Sequence, residues 1–126
     1  MAEHYVDRAE NAIKKLIIVD KNGRAKINLT TSKIRNILSL VSDLYNDAQR
    51  YRSEELSEDL YNRVQYLKMR MAYEAGRENT VKDFLEAADL LKEINKIGKS
   101  KKALLEFCHY MEALVAYHKF YGGKEN

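Results

Sequence analysis

At 126 residues and 14.7 kDa the chain has the size of one ordinary domain, and its lack of proline and tryptophan, with only five glycines, points to helix nearly throughout. A single cysteine excludes an intrachain disulfide framework and a cysteine–histidine zinc pattern, and suits a reducing compartment. The 22 Lys and Arg against 19 Asp and Glu leave a net charge of only +3, so the placement of charge rather than its sum must decide between partners.

The N-terminal stretch MAEHYVDRAEN has no apolar signal-peptide core, and the longest apolar run, Ala113 to Tyr117, has five residues. A membrane helix needs roughly 20. The expectation is a soluble, cytoplasmic protein.

Helical periodicity divides the chain into five segments, so the expected fold class is all-α, a single-domain five-helix bundle spanning residues 1–126. The first helix runs from about Glu3 to Leu16 with Tyr5, Ala9, Ala12, Ile13 and Leu16 on one face, and Asp20 to Asn28 reads as a turn around Asn22-Gly23. The second opens at Thr30-Thr31-Ser32, whose hydroxyls suit an N-cap, carries Ile34, Ile37, Leu38, Val41, Leu44, Tyr45 and Ala48, and ends near Arg52. Ser53 followed by Glu54 and Glu55 starts a third, with the core stripe Leu60, Val64, Leu67, Met71 and Ala75, and Gly76 is placed to terminate it. Thr80 with Asp83 resembles a capping box for a fourth helix from Val81 to Ile97, which Gly98 stops. Ser100 caps a fifth that reaches about Tyr121, where Gly122-Gly123 release a short polar tail.

An enzyme reading finds little support. His4, His109 and His118 belong to no HExxH motif, and there is no nucleophile elbow, P-loop or GxGxxG. Cys108 and His109 are adjacent, so on a helix their side chains diverge by about 100 degrees and cannot pair. A buried, inert Cys108 is expected. His118 falls between Phe107 and Met111 in the apolar sector of its helix, the place of a packed histidine. The acids Glu54-Glu55 and Glu58-Asp59 suit a helix start rather than a metal.

The third helix carries the informative pattern. Arg63, Tyr66, Arg70, Tyr73 and Arg77 follow one another in alternating steps of three and four residues, which places them within an arc of about 80 degrees and along roughly 21 Å of helix. Guanidinium forks match phosphate oxygens, and phenol faces stack on bases or riboses. The same strip is also what a solvated face looks like when tyrosine stems cover core edges and the arginines pair with Glu74, Glu78 or acids on a neighbouring helix. Thr30 to Arg35 offers backbone N–H groups, hydroxyls, Lys33 and Arg35 at a helix start, suitable for one phosphate. Lys96, Lys99, Lys101 and Lys102 cluster around Gly98 as a second basic element. The apolar sector of the fifth helix, with Phe107, Tyr110, Leu114, Tyr117 and Tyr121 beside Leu104, Cys108, Met111 and Val115, is wider than a surface helix needs. It fits either the centre of the bundle or a subunit contact.

Three blocks, LTTSKIRNIL from Leu29 to Leu38, YLKMRMAYEAGRE from Tyr66 to Glu78 followed by VKDFL, and CHYMEALVAYHKFYGGK from Cys108 to Lys124, give the chain its family resemblance. In that order and spacing it resembles the small subunit of type III-A CRISPR-Cas effectors, the Csm complexes. The family-like region is 29–124, with 1–28 a variable N-terminal helix and turn. The resemblance implies a five-helix bundle that is not an enzyme and needs no cofactor or metal. It implies that copies stack head to tail as a filament beside the backbone-subunit filament, with CRISPR RNA and target RNA between them, and that the large subunit is a further partner. No membrane is involved, and the role is antiviral defence. It assigns sequence-nonspecific RNA contact to Lys33, Arg35, Lys68, Arg70 and Arg77. The helical arc reaches two of these independently and adds Arg63, Tyr66 and Tyr73; Lys68 lies off the arc, near the core boundary. The rival reading is a helical protein-interaction module without direct RNA contact.

Overall fold

The computed structural model describes residues 3–126, and helices dominate it, although not as five. Helix α1 spans Tyr5–Lys14, with the His4 ring nitrogen Nδ1 accepting from the Val6 N–H at its start (3.1 Å) and Ala9, Ala12 and Ile13 buried. It ends where the sequence turns β-branched. Ile17–Val19 forms strand β1, which pairs antiparallel with β2, Ala25–Ile27, in the register Ile17↔Ile27. The segment 20–28, expected to be a turn alone, is therefore half of a β-hairpin. Ile17-Ile18-Val19 favours a pleated backbone, and Asn22-Gly23 is a hairpin signal. Asp20 Oδ1 closes the turn by accepting from the N–H groups of Asn22 and Arg24 (both 2.9 Å), with Gly23 in the left-handed region (φ 78°).

Next comes a 3-10 turn, Thr31–Ile34, leading into α2, Arg35–Arg50, whose buried face is Ile37, Val41, Leu44 and Ala48. The expected N-cap hydroxyls do not cap. The C-terminal tail satisfies this end instead: Thr31 N–H donates to the Lys124 carbonyl (3.0 Å) and Ser32 N–H to that of Glu125 (2.9 Å).

Helix α3 is Glu58–Arg77, capped by Ser57, whose Oγ accepts from Leu60 N–H (3.2 Å). The expected start at Ser53 moves by one repeat of the same signal, because both serines precede an acidic pair and a leucine. Leu56 decides between them: it is buried, its N–H donates to the Lys99 carbonyl (2.7 Å), and this keeps 51–57 out of the helix. Gly76 does not terminate the helix but lies inside it, without positive φ.

The expected fourth helix is two. Helix α4, Asn79–Ala88, and α5, Leu90–Asn95, break at Asp89, which adopts the left-handed conformation (φ 56°, ψ 39°) that Asp tolerates better than most residues. Leu90 and Ile94 are buried beyond the break, and Tyr110 Oη donates to the Ala88 carbonyl there (2.8 Å). Thr80 does not act as a capping box; its hydroxyl is buried without a partner. Gly98 (φ 52°) stops this region as expected.

Helix α6, Lys101–Phe120, is capped by Ser100 Oγ accepting from Ala103 N–H (3.1 Å). It packs on α1, α2 and α5, so its wide apolar sector serves the centre of the fold. α3 packs on α2, α4 and α5. His118 is buried, and its Nε2–H donates to the Leu29 carbonyl (2.8 Å), as a packed histidine should. Cys108 lies in the core beside α2, and burial pushes its thiol up from the ordinary 9.0 to about 12.

Two measurements check this packing. Leu67, with no exposed surface, should cost about 2 to 5 kcal/mol when replaced by alanine, read by denaturant unfolding. A thiol reagent should label Cys108 only once denaturant is added. Because the folded thiol is harder to ionise than the unfolded one, its contribution to stability is complete below the ordinary value of 9.0. That contribution is lost as pH rises towards the folded value of about 12.

Candidate nucleic-acid interface

The packing of α3 through Leu60, Val64, Leu67 and Met71 turns the opposite side of the helix outwards, and the Arg–Tyr strip lies along that side and its edge. Tyr66 and Tyr73 are 49% and 53% exposed, and Met69 between them is 56% exposed. Arg77 is exposed, and Arg63 and Arg70 are half-buried. The five residues thus share one continuous surface, as their spacing predicts.

Each arginine of the strip also meets a carboxylate. Arg63 Nη1 lies 2.8 Å from Asp47 Oδ2 on α2 and 3.7 Å from Asp59 Oδ2 one turn back. Arg70 Nη2 and Arg77 Nη1 approach the same oxygen, Oε1 of Glu74, at 3.7 and 3.2 Å. Their guanidinium carbons lie 4.9 and 5.5 Å from the centre of the Tyr73 ring, within cation–π range. An arginine has five N–H donors, so one carboxylate contact leaves most of the fork for another acceptor.

The sequence offered Glu74 as a partner for these arginines but did not place it in the core, where it is buried. The signal was there: on the helical wheel it lies about 20 degrees from Leu67, on the core side of the arginine arc. An acid at that position, three residues from one arginine and four from another, has to be paired to be buried.

Lys33, Arg35 and Lys68 sit differently. Lys33 Nζ reaches Glu78 Oε2 at 3.5 Å, which ties the start of α2 to the end of α3 and so to the Arg77 end of the strip. Arg35 is exposed at the first position of α2. Lys68 is half-buried and off the strip. The phosphate cradle expected at Thr30–Ser32 is not formed as expected, since the Thr31 and Ser32 N–H groups serve the C-terminal tail. The lysine turn is partly engaged as well. Lys96 pairs with Glu93 (3.3 Å), Lys101 donates to the Tyr51 carbonyl, and Lys99 Nζ stands 5.5 Å from the centre of the Tyr61 ring.

Cys108 and two of the three histidines, His109 and His118, are engaged by their neighbours in the fold. Cys108 is sealed, His118 holds Leu29, and His109 Nε2 is 3.3 Å from Tyr45 Oη. Among the described residues, no group of three or more His, Cys, Asp or Glu is placed to hold a metal ion, and no helix is long and apolar enough to cross a membrane. The α3 face presents planar cations and half-exposed rings laid along a rod.

Comparison with known proteins agrees with the family resemblance of the three blocks. The family model described as Csm2 Type III-A matches residues 7–124. The protein named CRISPR system Cms protein Csm2 from Streptococcus thermophilus is 46% identical over 123 residues, covering 98% of this chain and 95% of that one. Its namesake from Mycobacterium tuberculosis (strain ATCC 25618 / H37Rv) is 41% identical over the same shares. That from Enterococcus italicus is 42% identical over 110 residues, 82% of this chain and 79% of the relative.

Proposed function

Since the chain belongs to the Csm2 family of type III-A CRISPR systems, the Csm small subunits, we propose that it is a noncatalytic RNA-binding subunit of a Csm effector complex acting in antiviral defence in the cytoplasm. In this reading the whole chain is one domain. Copies stack head to tail as a filament along CRISPR RNA and target RNA, against the backbone-subunit filament and the large subunit. The observation that carries the RNA reading is the outward face of α3, where Arg63, Arg70 and Arg77 alternate with half-exposed Tyr66 and Tyr73.

Forks bind phosphate oxygens and rings stack on riboses or bases, so the contact follows the backbone without reading sequence. Lys33, Arg35 and Lys68 add charge beside the strip. The intramolecular carboxylates set the strength. Asp47, Asp59 and Glu74 formally balance the three arginines, so phosphate has to share each fork. One subunit alone therefore binds weakly, and affinity accumulates along repeated copies.

The same ion pairs are the observation that favours the second reading, a protein-interaction module whose arginines are satisfied by acids. The two differ in their response to salt. In the reconstituted complex, replacing Arg63, Arg70 and Arg77 together by alanine should flatten the log-log salt dependence of target-RNA binding by roughly 2, at about 0.7 per phosphate on a single strand. Tyr66→Ala and Tyr73→Ala should each weaken binding by about 1 to 3 kcal/mol with the slope nearly unchanged. A triple arginine variant that assembles normally and holds RNA with unaltered affinity and slope would establish the protein-contact reading instead.

A further inference from the structure

The three residues at the Arg77 end of the strip do not stand independently, because a fourth, Glu74, lies beneath them. Its side chain is only 7% exposed, unusual for a carboxylate on a helix whose neighbouring face is open to solvent. A single oxygen, Oε1, accepts from Arg77 Nη1 and pairs with Arg70 Nη2. Arg70, Tyr73, Glu74 and Arg77 occupy successive i, i+3, i+4 and i+7 positions, so the two guanidinium groups approach the ring of Tyr73 from the preceding and following turns.

We propose that Glu74 is a positioning residue of the RNA-binding face: it pins Arg70 and Arg77 against Tyr73 and so holds two phosphate forks and one stacking ring in a single arrangement before RNA arrives. The inference rests on the RNA reading of the α3 face. Its physical basis is the cost of an unpaired buried charge. If both arginines swing into solvent, the Glu74 carboxylate is left without a countercharge in a site water scarcely reaches. The arms are therefore held without being used up, since one nitrogen of each guanidinium faces Glu74 and the remaining donors stay available. Long arginine side chains otherwise lose considerable rotamer freedom when they bind. Here that ordering accompanies folding.

Glu74 also subtracts a charge from the same patch, and the two effects have opposite signs, which makes the proposal testable. In the reconstituted complex, Glu74→Gln keeps the shape and removes the charge that pins the arms. RNA affinity should fall about three- to tenfold, the effect of re-ordering one or two long side chains, with the salt slope unchanged. Tighter binding with a steeper slope would show that Glu74 is only a countercharge and overturn the proposal. Unchanged affinity would overturn it as well.

An independent arm needs no RNA. The chain has no tryptophan, so Tyr73→Trp introduces one reporter at the centre of the ladder. In the full-length chain, acrylamide quenching of that indole should rise when Glu74→Gln is added, and should not rise with Met71→Ala, a core change of the same helix. Quenching indifferent to Glu74→Gln overturns the pinning. Arg70→Lys with Arg77→Lys, which keeps both charges but loses the planar stack, should reproduce the affinity loss at constant slope, and supplies the test if Glu74→Gln does not fold. If the ladder loosens while the triple arginine variant still binds RNA normally, the RNA reading falls and takes this role with it, whereas a normal RNA dependence on the arginines with no effect of Glu74→Gln removes this proposal alone.

Discussion

Burial of α6 is the constraint that organises the molecule. Leu104, Phe107, Cys108, Tyr110, Met111 and Leu114 all lie inside, a sector too broad to be covered by one neighbour, so α1, α2 and α5 close on it from several sides. Their arrangement explains otherwise odd local features. The helix after α3 breaks at Asp89 in a left-handed conformation, and the break lets Leu90 and Ile94 join the core while the Tyr110 hydroxyl meets the Ala88 carbonyl. At the far end of α6, His118 reaches the Leu29 carbonyl, and the backbone at Gly123 lies so close that a Cβ there would stand 2.2 Å from the imidazole. The tail consequently runs beside the 3-10 turn that leads into α2 and takes its first N–H groups.

With α6 at the centre, α3 is held by α2, α4 and α5 and retains one free side. The charges on that side are of two kinds. Arg63 pairs with exposed acids, contacts that in water contribute about 0 to 1 kcal/mol. Arg70 and Arg77 share a buried acid, and that contact cannot be surrendered on the same terms, because desolvation of Glu74 has already taken place on folding. One strip thus has an end paired with exposed acids, near Asp47 and Asp59, and an end paired with a buried one, around Tyr73. A net charge of +3 conceals this, since almost all the local electrostatics consists of neighbouring opposites.

Periodicity alone determined a good deal: the helical class, the core stripes of α2 and α3, the cap at Ser100, the stop at Gly98, the packed state of His118 and Cys108, and the shared face of Arg63, Tyr66, Arg70, Tyr73 and Arg77. These follow from spacing within one helix or from one residue's chemistry, and a turn of helix is local. Family membership was legible too, because the three blocks keep their order and spacing. Where the same signal occurred twice, as in Ser53 and Ser57 ahead of acidic pairs, only the burial of Leu56 chose between them. The hairpin had its own local signals in Ile17-Ile18-Val19 and Asn22-Gly23, whereas the break at Asp89 was decided by tertiary structure, since it depends on which distant groups pack against Leu90 and Ile94 and meet the Ala88 carbonyl. Glu74 is the clearest case. Its wheel position beside Leu67 put it on the core side of the arginine arc, but a wheel does not say how far a neighbouring element covers that edge, and only the packing of α3 on the rest of the fold buries its carboxylate against Arg70 and Arg77.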